Sequence, residues 1–295
     1  YSTSDDRIWV GTVSDLCYFD SKDTDLILSG KKNVNHMFIQ DIYWGISNPT
    51  VYCVFEDSFK NVWIGSNGGG ASFISSTSSF FHSWRINKIP GVTNGLNDKE
   101  VLTICVADNG NIWMGTDGGG INVNIDGRNC MFYSHDTGDI SSNTYHSSLK
   151  DSNGDLWFGN MYNEMGIDVF ISKEGRFIHY TPQGNGSVIY CLFEDNQRNV
   201  WIGSNNGLEI YNLITKKKDF LNKENSQLLT NEIKAVSQDK NGNIWIGTLN
   251  KGISIYNPES KTMKHINEHT IFENCVINQI FRDSKNRIWI ATTEG

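Results

Sequence analysis

Proline is scarce in this chain, four residues in 295 against 28 glycines. With 12% aromatic and 20% charged residues, that balance describes a soluble protein of strands and tight turns, not a disordered segment. Positive charge is also short: 25 Lys and Arg stand against 33 Asp and Glu, a net charge of −8. Phosphate binding relies on clustered cations, so a nucleic-acid partner is not expected. The one cationic run, Lys216-Lys217-Lys218, reads as a solvated turn. No stretch approaches 18 consecutive apolar residues, and no charged, apolar, small-residue leader opens the sequence. The segment as given is therefore expected neither to span a membrane nor to carry a signal peptide. The six cysteines lack the spacing of a zinc site or a disulfide framework. Cys53 and Cys191 each stand ten residues before a tryptophan and Cys105 on an equivalent strand, which suits small buried hydrophobes. No metal and no cofactor are expected.

What is present is a tryptophan that returns at a fixed step. Trp113, Trp157, Trp201, Trp245 and Trp289 are each 44 residues apart, and Trp63 and Trp9 continue the series upstream at steps of 50 and 54. A period near 44 lies in the range of propeller blades, above that of ankyrin or tetratricopeptide arrays. Seven repeats centred on these tryptophans cover residues 1–295 as one expected domain. Both ends cut a repeat, so the chain reads as a piece of a longer polypeptide.

The stretch from Val51 to Trp84 shows one repeat in full. Val51-Tyr52-Cys53-Val54-Phe55-Glu56 is β-branched and aromatic without a breaker, and reads as a buried strand. Asp57 to Asn61 follows as a hairpin turn, because Asp and Asn bond their own backbone and tolerate left-handed conformations. Val62 to Ser66 is a second strand, Gly68-Gly69-Gly70 a turn, Ala71 to Ile74 a third strand, and Phe81 to Trp84 a fourth at the outer edge. Four short antiparallel strands make one blade. Trp63, Trp113, Trp157, Trp201 and Trp245 are assigned to packing between blades. Gly65, Gly115, Gly203 and Gly247, two residues later, leave room for close backbone approach.

Two metal-like patterns fail on inspection. Asp151-Ser-Asn153-Gly-Asp155 and Asp239-Lys-Asn241-Gly-Asn243 begin like a calcium loop. Such a loop needs Gly at position six and Glu at twelve, where these have Leu156 and Tyr162, or Ile244 and Asn250. Asx-turn chemistry accounts for them. His265 and His269 have helical metal-pair spacing, yet four residues of strand span roughly 13 Å, too far for one ion.

The pattern Asn-x-Trp-Ile-Gly-Thr/Ser-x-x-Gly-Gly, with the later Leu208-Glu-Ile-Tyr211-Asn212 and Ile253-Ser-Ile-Tyr256-Asn257, resembles the two-component regulator propeller repeat over nearly all of the chain. The resemblance implies an all-β propeller of four-stranded antiparallel blades. It also implies the periplasmic sensor of a hybrid two-component system, an inner-membrane receptor of the kind common in gut Bacteroidetes that senses glycan fragments to control polysaccharide-utilisation genes. Such receptors carry two seven-bladed propellers, a β-sandwich, one membrane helix, a histidine kinase and a response regulator. The implied partners are an oligosaccharide, a second propeller and β-sandwich of the same receptor, and a second copy in a homodimer. Membrane contact would come only through the missing helix. Two departures stand out: Ala291 replaces the glycine after Trp289, and Asn160 to Met165 replaces a short Gly turn after Trp157. Strand counting gives three before the first complete blade, twenty in five complete blades and two at the end. Seven blades with incomplete edges fit best.

Blade connectivity puts the loop entering the first strand on the same face as the loop between the second and third strands, and binding residues concentrate on such loops. The extra residues fall partly at Gln40 to Thr50, Asn87 to Lys99 and around Tyr162. Tyr43 and Trp44 are adjacent aromatics in a polar loop, suited either to stacking on a sugar face or to capping a blade. Eleven residues before each tryptophan stand Tyr52, Leu102, His146, Tyr190, Lys234 and Asn278. This mostly polar set would line the entrance of a central channel, although side chains on one blade face give the same pattern. The candidate ligand-binding residues are therefore Tyr43, Trp44, Tyr52, His146, Tyr162, Tyr190, Lys234 and Asn278. Lys234 and His146 would favour an acidic sugar. Catalysis is not expected. A lyase-type propeller enzyme using His146, Tyr190 and Lys234, like streptogramin or polysaccharide lyases, is the alternative, followed by a protein-interaction scaffold.

Overall fold

Apolar runs of four to six residues, broken by Asp, Asn and Gly, form short antiparallel strands in the computed structural model. The structure describes residues 1–13, 15–37, 48, 50–76, 81–84, 95–125, 130–162, 166–183, 187–266, 272 and 275–293, without the side chains of 36–37 and 81–84. The chain divides into two compact units, Tyr1–Tyr145 and His146–Gly295.

In the first unit, β1 (Arg7–Gly11), β2 (Leu16–Asp20) and β3 (Asn35–Met37) form a three-stranded sheet. Two four-stranded sheets follow: β4 (Val51–Glu56), β5 (Val62–Ser66), β6 (Gly70–Ile74) and β7 (Phe81–Trp84), then β8 (Val101–Val106), β9 (Ile112–Thr116), β10 (Ile121–Asn124) and β11 (Cys130–Tyr133). The strand β12 (Tyr145–Lys150) begins at the boundary and shares a sheet with β13 (Leu156–Asn160), β14 (Ile167–Ile171) and β15 (Arg176–Tyr180) of the second unit. Two more complete sheets are β16 (Ile189–Glu194), β17 (Asn199–Ser204), β18 (Leu208–Asn212) and β19 (Lys218–Leu221), and β20 (Ile233–Gln238), β21 (Ile244–Thr248), β22 (Ile253–Asn257) and β23 (Thr262–Ile266). A two-stranded sheet of β24 (Ile277–Arg282) and β25 (Ile288–Thr292) ends the series. Each sheet carries one of the seven tryptophans. The first sheet begins on its tryptophan strand and the last ends on it.

Part of the 54-residue first step is a feature the sequence pattern did not announce. A 3₁₀ turn at Ser21–Asp23 and a short helix α1 (Thr24–Leu28) lie between β2 and β3. Gly30, at φ 69°, turns the chain out of that helix. The Lys216-Lys217-Lys218 run also needs correction as a solvated turn. Lys218 belongs to β19, with its ammonium 4.1 Å from the centre of the Tyr180 ring and 3.7 Å from buried Glu209. The Tyr180 hydroxyl and the Gln183 amide both donate to that carboxylate.

The core lies between successive sheets, because one apolar face per sheet is covered only by its neighbour. Trp201, 1% exposed, packs with Leu208 of its own sheet and with Ile233, Val236, Ile244 and Ile246 of the next. Trp157 meets Ile189, Val200 and Ile202 in the same way, and in the first unit Trp63 meets Val101, Ile104 and Met114. Burying one such side chain removes about 200 Å² of surface, worth about 5 kcal/mol as an upper figure.

Five of the seven repeat tryptophans are also held by a carboxylate six residues before them. The indole Nε1 of Trp63, Trp157, Trp201, Trp245 and Trp289 donates to Asp57, Asp151, Asp195, Asp239 and Asp283 at 2.8–3.2 Å. The other oxygen of each Asp accepts from two backbone amides of the hairpin turn, as at Gln197 and Asn199 for Asp195. For Asp239 and Asp283, burial would push the carboxyl pKa up, but these donated bonds outweigh it and hold both below the ordinary carboxylate value. Thr3 and Ala107 stand in the corresponding places for Trp9 and Trp113. Among the described residues the Trp9 Nε1 has no hydrogen-bond partner. Thr3→Asp is accordingly expected to raise stability by about 1 kcal/mol in urea denaturation. A loss would mean that the Thr3 hydroxyl bonds to Asp5 and Arg7 matter more than a clasped indole.

Candidate functional site

The first strands carry a shared irregularity near their beginnings. In β4, Val51 pairs with Ser66 and Cys53 with Gly65, so Tyr52 is left out of the ladder. The same one-residue shift omits Leu102 from β8, Tyr190 from β16, Lys234 from β20 and Asn278 from β24. These are β-bulges, which interrupt pairing and re-aim a side chain. His146 holds the corresponding position in β12, half-buried between buried Tyr145 and Ser147. The six residues eleven before each tryptophan are thus equivalent in sequence, and five of them are bulge residues.

The loops place this end of the strands. Asn67 N donates to Thr50 O at 2.9 Å, Asp117 N to Glu100 O, Asn205 N to Val188 O, Leu249 N to Glu232 O, and Thr293 N to Val276 O. Each bond ties the segment after a second strand to the lead into the first strand of the same sheet. The two loops therefore share a face, with the bulge two residues inside it.

In the second unit three of these side chains touch. The Lys234 ammonium lies 3.6 Å from the centre of the Tyr190 ring, and the His146 ring meets Tyr190 edge-on at 6.4 Å and 80°. Tyr190 is thus the centre of a patch built from three successive sheets. Burial pushes the Lys234 pKa below its ordinary value, with partial compensation from Cys191 and Glu232. Burial pushes the Tyr190 phenol up, and Glu232 adds to it. Asn278 is exposed on β24, which packs beside β20.

The other sequence candidates divide. Tyr52, 45% exposed, is a bulge residue of the first unit, its phenol pKa raised by burial and by Glu100 and Asp117. Tyr162, 58% exposed, follows β13 with its amide on Asn160 Oδ1 at 2.9 Å. Tyr43 and Trp44 lie outside the described residues, as do His269 and most of the two long lead-in loops. Sequence reading missed the bulges and the Asp–Trp clasps. The clasp had a signal, Asp six residues before five tryptophans. At the opposite end of β4, a cleft in the first unit is lined by Asp5, Arg7, Glu56 and Lys60. Most of its charged groups are already engaged: Arg7 lies near Asp5 and Asp20, and Glu56 accepts from Ser4.

Among the described residues no group of three metal-ligating side chains comes together, and no helix is long and apolar enough to cross a membrane. All six cysteines are free thiols.

The two-component regulator propeller repeat matches residues 45–68, 95–118, 139–162, 183–206, 227–250 and 271–294. No match was found among curated proteins. Among solved structures, the extracellular domain of a putative hybrid two-component system from B. thetaiotaomicron is 31% identical, with a TM-score of 0.61 over 99% of this chain and 37% of that one. A second such domain from the same bacterium is 18% identical, with a TM-score of 0.78 over 99% of this chain and 38% of that one. An inactive variant of virginiamycin B lyase from Staphylococcus aureus, crystallised with quinupristin, is 14% identical, with a TM-score of 0.73 over 99% of this chain and 90% of that one. The last two likenesses bear on fold alone.

The fold is a β-propeller of four-stranded antiparallel blades, with seven sheets among the described residues and incomplete first and last members. The chain belongs to the two-component regulator propeller family. It spans just over a third of the length of the two receptor domains.

Proposed function

We propose that this chain is the ligand-reading propeller of an extracytoplasmic receptor in a hybrid two-component system, and that it binds a glycan fragment without transforming it. The observation that carries this reading is the patch of His146, Tyr190 and Lys234, two bulge residues freed from the ladder and a third side chain at the equivalent position, gathered around one aromatic ring. A half-buried tyrosine ring flanked by hydrogen-bond donors suits a sugar ring, whose apolar face stacks while its hydroxyls find polar partners. The repeat family and the receptor domain that is 31% identical support the signalling context. In that context the chain is a periplasmic portion of an inner-membrane histidine kinase. It works beside a second propeller and a β-sandwich, in a homodimer whose two states differ in affinity for the ligand.

A thermal-shift screen of this chain against plant and host oligosaccharides, followed by calorimetry, tests the reading. A ligand at a hundred times its Kd adds about 2.7 kcal/mol of stability, and Tyr190→Ala is expected to abolish the gain. Turnover of a glycan by the chain, lost in His146→Ala, would make it an enzyme instead. Silence across the panel would remove the ligand site from this chain.

A further inference from the structure

We infer that the oligosaccharide read at Tyr190 carries an anionic group, carboxylate or sulfate, and that Lys234 is the residue that selects it. This rests on the binding role proposed for the same patch. Lys234 is half-buried on a bulge, with its ammonium against the Tyr190 ring. Among the described residues no carboxylate lies within 4.0 Å of it. The other half-buried cations of the second unit are engaged by acids, Arg198 by Glu194 and Arg287 by Asp283. Glu232, two residues before Lys234, is the nearby acid that acts on it electrostatically, and it forms no ion pair with it.

An ammonium has three donors, and a ring face satisfies attraction in one direction only. The remaining donors are directed to whatever occupies the patch. A contact from a charged donor to an ionised acceptor is roughly twice as strong as one between neutral groups, so an occupant bearing an anion gains most there. The His146 imidazole, edge-on to the same ring, supplies a further polar contact from the neighbouring sheet. With a net charge of −8, the chain as a whole does not attract anions, so affinity for an acidic sugar has to come from this local contact.

The test compares charged and neutral partners of one skeleton by calorimetry on the full chain: trigalacturonate with galactotriose, and sulfated with desulfated neocarrabiose. The charged member of at least one pair is expected to bind about tenfold or more tightly than its neutral parent, and the responding pair tells carboxylate from sulfate. Lys234→Met keeps the apolar stem over Tyr190 and is expected to remove that preference. Lys234→Arg keeps the charge and is expected to retain it, which separates charge from packing. Equal affinity for charged and neutral members, or a preference unchanged in Lys234→Met, overturns the inference and leaves the glycan-reading role standing. Failure of all four probes overturns it as well, and the wider neutral screen then decides the glycan role by itself.

Discussion

Asp195→Ala is expected to destabilise the second unit by about 3 kcal/mol, the sum of one lost charge-assisted bond and the buried donors left without a partner. The carboxylate accepts four hydrogen bonds: from the amides of Gln197 and Asn199, from Asn199 Nδ2 and from Trp201 Nε1, all at 2.8–2.9 Å. Trp201 is 1% exposed, so its indole N–H cannot turn to water when the acceptor goes. Asp195→Asn offers no rescue on that side, because an amide that keeps one acceptor oxygen presents a donor to the other pair of donors. The measurement is the shift of the urea midpoint, with a fall in Tm of about 8 °C alongside it. A double-mutant cycle with Trp201→Phe isolates the indole bond and is expected to return a coupling of about 1–2 kcal/mol. A cycle that closes near zero would show the clasp to be a turn device with no hold on the core.

Gly159→Ala is expected to cost about 3 kcal/mol for one added methyl group. A Cβ at 159 would overlap Ser147 Oγ and lie 2.5 Å from Ile189 Cγ2 and 2.9 Å from Ile189 Cβ. Ile189 opens β16 in the next sheet and is fully buried, so it has nowhere to retreat. The backbone of Gly159 is not left-handed, and the cost is therefore one of space alone. Gly110→Ala provides the contrast: its φ is 84° with nothing within 4 Å of the added carbon, and it should cost only about 1 kcal/mol of backbone strain. Equal losses in the two variants would refute the account of close sheet approach. The other glycines two residues after a tryptophan meet the next sheet in the same way, Gly65 against Val101 and Gly115 against Tyr145.

Much of this architecture was legible because it repeats. The strands read from the alternation between Val51 and Trp84 lie where the chain forms them, apart from Gly70, which joins β6 one residue early. The count of three, twenty and two strands is the count observed in the sheets of the described residues. Helix α1 was not legible, since five residues with Leu26 and Leu28 exposed present no amphipathic period. The bulges were hidden for a different reason. Val51-Tyr52-Cys53 is buried, exposed, half-buried, an alternation that regular pairing also produces. Only the partner strand reveals that one residue too many is present. Equivalence of the six positions was therefore readable from spacing, whereas the contact of Lys234 and His146 with Tyr190 required the sheets to be stacked.

The bulges also separate two demands that usually conflict in a binding protein. A residue inside a ladder must suit its cross-strand neighbours, so changing it to alter specificity disturbs the sheet. The omitted residue has no such neighbour, and the five bulge positions accordingly hold Tyr, Leu, Tyr, Lys and Asn while the strands around them keep one plan. Recognition can be rewritten there one side chain at a time, with the packing of tryptophans, glycines and aspartates left untouched. In such a protein the scaffold and the message are carried by different residues of the same strand.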